Sequence, residues 1–235
     1  MTNEKMLIVA FPSAGLVGAF AVSYLTAQLG MKDIGDIEFT KISPSYAIKE
    51  GEIYGPVRIY NKDNLYAILS SMPLNPTHTY DLITKSIEFA KNNDIKKIII
   101  PRGLEAYENQ KNDPISYGVT VNKKSKFLLE EYNLPNIQGA MILGVDASVI
   151  SALKNSEIPC IILYTTCRMM FPDDDAIIKS IKTLSDIIKV KVETEKFEEQ
   201  LEKISKENEK LIAETKNYFE KTSGRSASIP SPGIG

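Results

Sequence analysis

The sequence predicts a three-layer α/β fold with a mostly parallel central sheet, followed by a charged C-terminal helix. Three observations predict it. Apolar runs of strand length alternate with helical stretches through the first 190 residues. Most of these runs are continuous rather than alternating, as in strands covered on both faces. The composition, 43% hydrophobic over 235 residues, is enough to bury a substantial core.

The elements follow in order. Residues 6–11 (MLIVAF) are the first predicted strand, and Pro12-Ser13-Ala14-Gly15 turns the chain into an apolar helix over 16–29. Lys5 followed by apolar residues up to 27 superficially resembles a targeting peptide. Pro12, Ser13 and Gly15 divide it into a strand and a helix, and a cytoplasmic protein is expected. No uninterrupted apolar run is long enough to span a membrane. Short strands are predicted at 37–42 and 57–60, in a region punctuated by Gly51 and Gly55-Pro56. Residues 65–71 (LYAILSS) read as a buried strand. Residues 73–79 read as a loop rich in turn and capping types, and a helix follows to about 93, with Leu82, Ile83, Ile87, Phe89 and Ala90 on its apolar face.

A further strand is predicted at 95–100, ending at Pro101. Residues 102–122 read as irregular, with a short strand at 117–121. A helix at 123–132, a strand at 138–144, a helix at 147–154, a strand at 159–164 and a long helix from 173 to about 190 complete the α/β domain, 1–190. Right-handed crossovers between parallel strands place helices on both faces.

The character changes after Val190. Residues 193–221 hold nine Glu and six Lys with no Gly or Pro. Phe197, Leu201, Ile204, Asn208, Leu211, Thr215 and Tyr218 are spaced 4, 3, 4, 3, 4 and 3 apart, a heptad seam over about three repeats. An Asn in such a seam specifies register at a cost in stability. Two readings stand: pairing with another helix, or packing on the chain's own domain. We take 191–221 as a heptad-patterned helix and 222–235, rich in Ser, Pro and Gly, as a flexible tail.

The charge balance, −2, implies no basic face, so nucleic acid is not expected as a partner. Two cysteines and one histidine are too few for a zinc site of the usual ligands, and no cofactor is expected. The most suggestive motif is the turn containing Ser13, Gly15 and Gly18, between a first strand and a first helix, where helix amides can hold phosphate. It lacks the first glycine of the dinucleotide fingerprint, and Ala19 stands where a phosphate-binding loop has Lys. A tight turn, with Gly18 letting the helix approach the sheet, explains the same residues. Ser13 as a nucleophile lacks the glycine two positions earlier, where Phe11 stands. His78, the only histidine, lies between two threonines at a helix start. Asp173, Asp174 and Asp175 oppose a helix dipole. Arg102 follows a buried strand, so a ligand role and an ion pair with Glu105 both fit.

Four segments together resemble a known family. The first is Phe11-Pro12-Ser13-Ala14-Gly15-Leu16-Val17-Gly18, with Tyr24-Leu25 in the helix behind it. The second is Pro114-Ile115-Ser116-Tyr117-Gly118-Val119-Thr120-Val121-Asn122. The third is 137–149, an apolar strand leading into a helix. The fourth is 159–166 with Pro172-Asp173 opening a long helix. In order and spacing they resemble the proteasome assembly chaperone family, in its archaeal branch, over about residues 5–215. The resemblance implies a phosphorylase/hydrolase-like α/β fold, homo-oligomers, and a non-catalytic chaperone or adaptor role with proteasome α subunits as partners. One family mode of α-ring contact uses a C-terminal hydrophobic-Tyr-any tripeptide. This sequence ends Gly233-Ile234-Gly235 and departs from it. The competing expectation is an enzyme binding a nucleotide or phosphate at Ser13, Gly15 and Gly18 with Arg102.

Overall fold

A computed structural model of the chain describes residues 4–37, 46–49, 51–105, 113–168 and 172–194, with residues 197, 213 and 217. The first strand, β1 (Met6–Ala10), is buried at every position. A 3-10 turn (Ala14–Leu16) leads into α1 (Val17–Gln28). Strands β2 (Lys32–Asp36), β3 (Ala47–Lys49), β4 (Glu52–Tyr54), β5 (Val57–Lys62) and β6 (Leu65–Ser70) precede α2 (Pro76–Asn92). Then come β7 (Lys97–Glu105), β8 (Ser116–Thr120), α3 (Phe127–Glu131), α4 (Gly144–Leu153), β9 (Cys160–Cys167) and α5 (Asp174–Ile188).

Seven strands form one sheet in the order β2-β5-β6-β1-β7-β9-β8, and β3 and β4 form a separate hairpin. The sheet is mixed. Its four central strands are parallel. Strands β2, β5 and β8 join antiparallel, so the expectation of a mostly parallel sheet holds for the centre and fails at both margins. Continuous apolar runs mark strands covered on both faces, which is why the centre was legible. Successive side chains of β1 divide between two cores. Met6, Ile8 and Ala10 face α1 and α5, and Leu7 and Val9 face α2 and α4. Three layers result: α1 with α5, the sheet, and α2 with α4.

The helix starts carry their own signals. Asn75 caps α2, its Oδ1 accepting from the His78 N–H at 2.8 Å, and Pro76 occupies the first turn. Asp173 caps α5.

Two predicted strands need correction. The strand starting at 95 does not end at Pro101; β7 runs on to Glu105. The Ile98 N–H donates to the Pro159 carbonyl, on the β9 side. By alternation the Pro101 nitrogen faces β1, whose pairing with β7 stops at Ile99, so the missing N–H breaks no ladder bond. The strand predicted at 138–144 is absent: Asn136 makes a single bridge to Gly118, and Met141 and Leu143 are 86% and 72% exposed. Of the strand predicted at 37–42, residues 38–42 lie outside the described residues; a strand not predicted, β2, ends just before it at Asp36. Strand β2 was missed because it carries almost no apolar signal. It is held by register with β5 and by Arg58 donating to both oxygens of Asp33.

Candidate functional site

In open α/β sheets, ligands favour the crevice outside the carboxyl ends of adjacent strands whose connections leave in opposite directions. Here those strands are β1 and β7. The chain leaves β1 through α1 on one face, and reaches β9 from β7 through α4 on the other. Ser13, Gly15, Gly18 and Arg102 all meet at this point.

The protein's own groups fill it. Ser13 is buried, and its Oγ accepts from the Gly103 N–H at 3.0 Å. Arg102 lies within β7 rather than in a loop after it, on the same face as Ile98 and Ile100, and is 2% exposed. Its Nε donates to Asp146 Oδ1 at 2.8 Å, and its Nη1 points at the Phe11 and Pro12 carbonyls at 3.5 and 3.4 Å. Its guanidinium covers the Phe11 ring. The ion pair with Glu105, open at the sequence level, is replaced by one with Asp146, in the first turn of α4.

The glycines are explained by close approach. A Cβ on Gly18 would lie 2.1 Å from the Pro101 carbonyl oxygen, and one on Gly103 would lie 2.0 Å from that of Ala14. Gly15 has φ +60 and would meet Cys167 and Asp173. Leu16 is also left-handed, at φ +56, and wholly buried. Its N–H donates to the Ser13 carbonyl, which closes the turn.

Two ties lock this turn to the neighbouring elements. The Asp173 N–H donates to the Gly15 carbonyl at 3.1 Å. The Asp173 carboxylate, 1% exposed, accepts from the Arg168 backbone and side chain and from the Ala176 N–H. Burial alone would raise its pKa; these hydrogen bonds outweigh burial and hold it below the ordinary value. Cys167 lies beside Gly15, and burial, then the charges of Asp173 and Glu105, push its thiol up to about 12. Tyr164, the register partner of Arg102 on β9, is buried with a hydroxyl that has no hydrogen-bond partner among the described residues. Burial and then the Asp146 carboxylate raise its pKa, against Arg102.

Sequence reasoning missed Asp146, Tyr164 and Gly103. The signal for Tyr164 and Gly103 was register: once β7 extends past Pro101, Arg102 and Tyr164 come side by side.

The other residues singled out in the sequence lie apart from this cluster. His78 sits in the first turn of α2. Of the heptad residues, Phe197 is completely buried against Tyr24. Leu201, Ile204, Asn208, Leu211, Thr215 and Tyr218 lie outside the described residues. A cavity of about 650 Å³ opens at the opposite, amino ends of the strands, lined by Lys5, Asn64, Asp94, Lys96, Lys97 and Phe127 among others. One of its cations, Lys97, is paired with Glu131 at 2.7 Å and Glu4 at 3.2 Å. Among the described residues no helix is long and apolar enough to cross a membrane.

A family model described as the PAC2 family matches residues 7–212 of this chain. The chain belongs to the PAC2 family. That span takes in every element of the three layers except the first residue of β1. Solved structures with the same fold include Pyrococcus furiosus PbaA, described as an archaeal homolog of proteasome-assembly chaperone. It is 20% identical, with a TM-score of 0.79, over 92% of this chain and 95% of that one. Pyrococcus furiosus PbaB, described as an archaeal proteasome activator, is 16% identical with a TM-score of 0.66, over 89% and 95%. A Mycobacterium tuberculosis proteasome-assembly chaperone homologue is 17% identical with a TM-score of 0.64, over 89% and 96%. At these identities the likeness establishes the shared PAC2 fold. An uncharacterised protein of Methanocaldococcus jannaschii is 28% identical over 109 residues, 46% of each chain, so the match spans less than half of that relative's length.

Proposed function

We propose that this PAC2 protein is a non-catalytic, cytoplasmic adaptor or assembly chaperone that self-associates and contacts proteasome α subunits. The observation that carries the reading is the crevice between β1 and β7. Its serine, its arginine and its close-packed glycines are committed to internal bonds and backbone contacts, in a fold shared with proteasome-assembly chaperone homologues. A scaffold built this way works through its surface. The carboxyl end of the sheet supports that reading. It carries the β3–β4 hairpin, where Ile48 and Ile53 face each other across the strands at 77% and 69% exposure, and the segment with exposed Met141 and Leu143. Apolar side chains concentrated at one end suit protein partners. The heptad pattern after Val190 supplies a seam for pairing with another copy.

The test is capture of archaeal proteasome α subunits by the tagged full chain, alongside light scattering on the chain alone. Retention of α subunits with a mass above the monomer is expected. Failure of the chain to retain α subunits, whether assembled or not, overturns the proteasome part. A monomer at all concentrations overturns the self-association part.

A further inference from the structure

The chain does not leave the domain where α5 ends. Lys189 is left-handed, and Val190 and Val192 pack half-buried on the α1/α5 layer. The Tyr24 hydroxyl donates to the Glu193 carbonyl at 2.7 Å. The Phe197 N–H then turns back to the Thr194 carbonyl at 3.0 Å. Its ring stands edge-on to Tyr24, with centroids 5.1 Å apart and planes at 80°. Phe197 is 0% exposed. One tyrosine therefore holds the segment at two points, by its hydroxyl at Glu193 and by its ring at Phe197.

Phe197 is also the first position of the heptad seam. A seam side chain in a helix pair inserts into a hole formed by four residues of the facing helix. The ring cannot fill that hole while it is seated against Tyr24. We propose that Tyr24 and Phe197 form an internal latch: the docked ring withholds the first seam position, and pairing through the full seam requires Phe197 to leave the domain. The strap, described at 190–194 and at 197, thus offers one ring two mutually exclusive seats, one intramolecular and one between helices. The withholding role rests on the proposed pairing of the C-terminal arm; the anchor is testable without it.

The experiment uses the full chain, with hydrogen exchange read at 190–197 and self-association read by light scattering over a concentration series. Tyr24→Phe removes the bond to Glu193 and keeps the ring. Phe197→Ala removes the ring from both seats. Leu201→Ala changes the next position of the heptad pattern. Tyr24→Phe should speed exchange at 193–197 about three- to tenfold, the effect of one lost hydrogen bond, and tighten self-association by up to the same factor. Phe197→Ala should speed exchange further and weaken self-association. Leu201→Ala should weaken self-association and leave exchange at 190–197 at the wild-type rate. Unchanged exchange in both Tyr24→Phe and Phe197→Ala would overturn the anchor. Faster exchange in Tyr24→Phe with unaltered self-association would overturn the competition. A wild-type chain that stays monomeric removes the seam and with it the withholding role, while exchange still decides the anchor.

Discussion

The Arg102 guanidinium lies over the Phe11 ring, its central carbon 4.2 Å from the ring centroid. Arg102 belongs to β7 and Phe11 directly follows β1, the adjacent strand of the sheet, and the same arginine reaches Asp146 at the start of α4. A single buried cation therefore joins the first turn of the chain, the middle of the sheet and a helix on the α2/α4 layer.

Arg102→Met removes that junction. Breaking a buried pair by deleting one partner costs about 3–5 kcal/mol, and the 28% exposure of the Asp146 side chain moves the expected loss below that range, to about 2–3 kcal/mol. Arg102→Lys should recover little, since an ammonium cannot serve Asp146 and the two carbonyls from one planar fork. Urea unfolding of the three proteins measures this. Thermal shifts with inorganic phosphate or ATP should be nil in wild type and variants alike; a rise in the wild type that Arg102→Met abolishes would restore the ligand reading of the turn.

Gly18→Ala and Gly103→Ala should each destabilise by about 3 kcal/mol or more, the upper range for overpacking, because backbone carbonyls cannot move aside as side chains do. Gly139→Ala is the control: nothing lies within 4 Å of its added Cβ, and it should stay within about 0.5 kcal/mol. Melting temperatures of the three variants give the comparison.

Asp173 sets a pH dependence. Its folded pKa is lowered, so its ionised form stabilises the fold above the unfolded value near 3.8, and that stability is lost as pH falls through the folded value. Urea midpoints of the wild type should therefore decline below about pH 4, where the unfolded carboxyl begins to bind protons. Asp173→Asn keeps the cap acceptor and loses the charge, so it should be less stable at neutral pH and show a shallower decline in acid. Parallel acid limbs in the two proteins would remove Asp173 as a contributor.

Both thiols should be silent in the native protein. Burial pushes Cys160 up to about 11, against the hydrogen bonds it accepts from Ser125 and Asn122, and Cys167 up to about 12. The thiolate is the reactive form. Ellman's reagent at pH 7.5 should titrate no thiol in native protein and two in urea; fast native labelling of either would mean that its core opens.

What the sequence made legible follows from burial. The runs at 6–11, 65–71, 95–100 and 159–164 are apolar because the central strands are covered on both sides, and Asp173 announced the start of α5; α2 begins at Pro76, inside the loop expected at 73–79, because Asn75 caps it there. What failed were places where pattern and burial part. Ala140 to Gly144 reads as a strand because it is apolar, yet the sheet's margin beside β9 belongs to β8, and Met141 and Leu143 face outward. Strand β2 is polar because it is an edge. In the candidate site, the residue types at Ser13, Gly15, Gly18 and Arg102 marked the right place. Whether those groups face a ligand or one another is a matter of register and close approach between distant strands, which no local spacing encodes.

The position of β1 also bears on how the chain matures. It precedes every other described strand, yet its sheet partners are residues 65–69 and 97–99. At roughly 5–20 residues per second, its five buried side chains wait several seconds for a neighbour to be translated. Pairings this distant in sequence form late and slowly. During that interval Met6–Ala10 is an unpaired apolar strand, so the chain carries, before its sheet can form, a segment that calls for protection from aggregation.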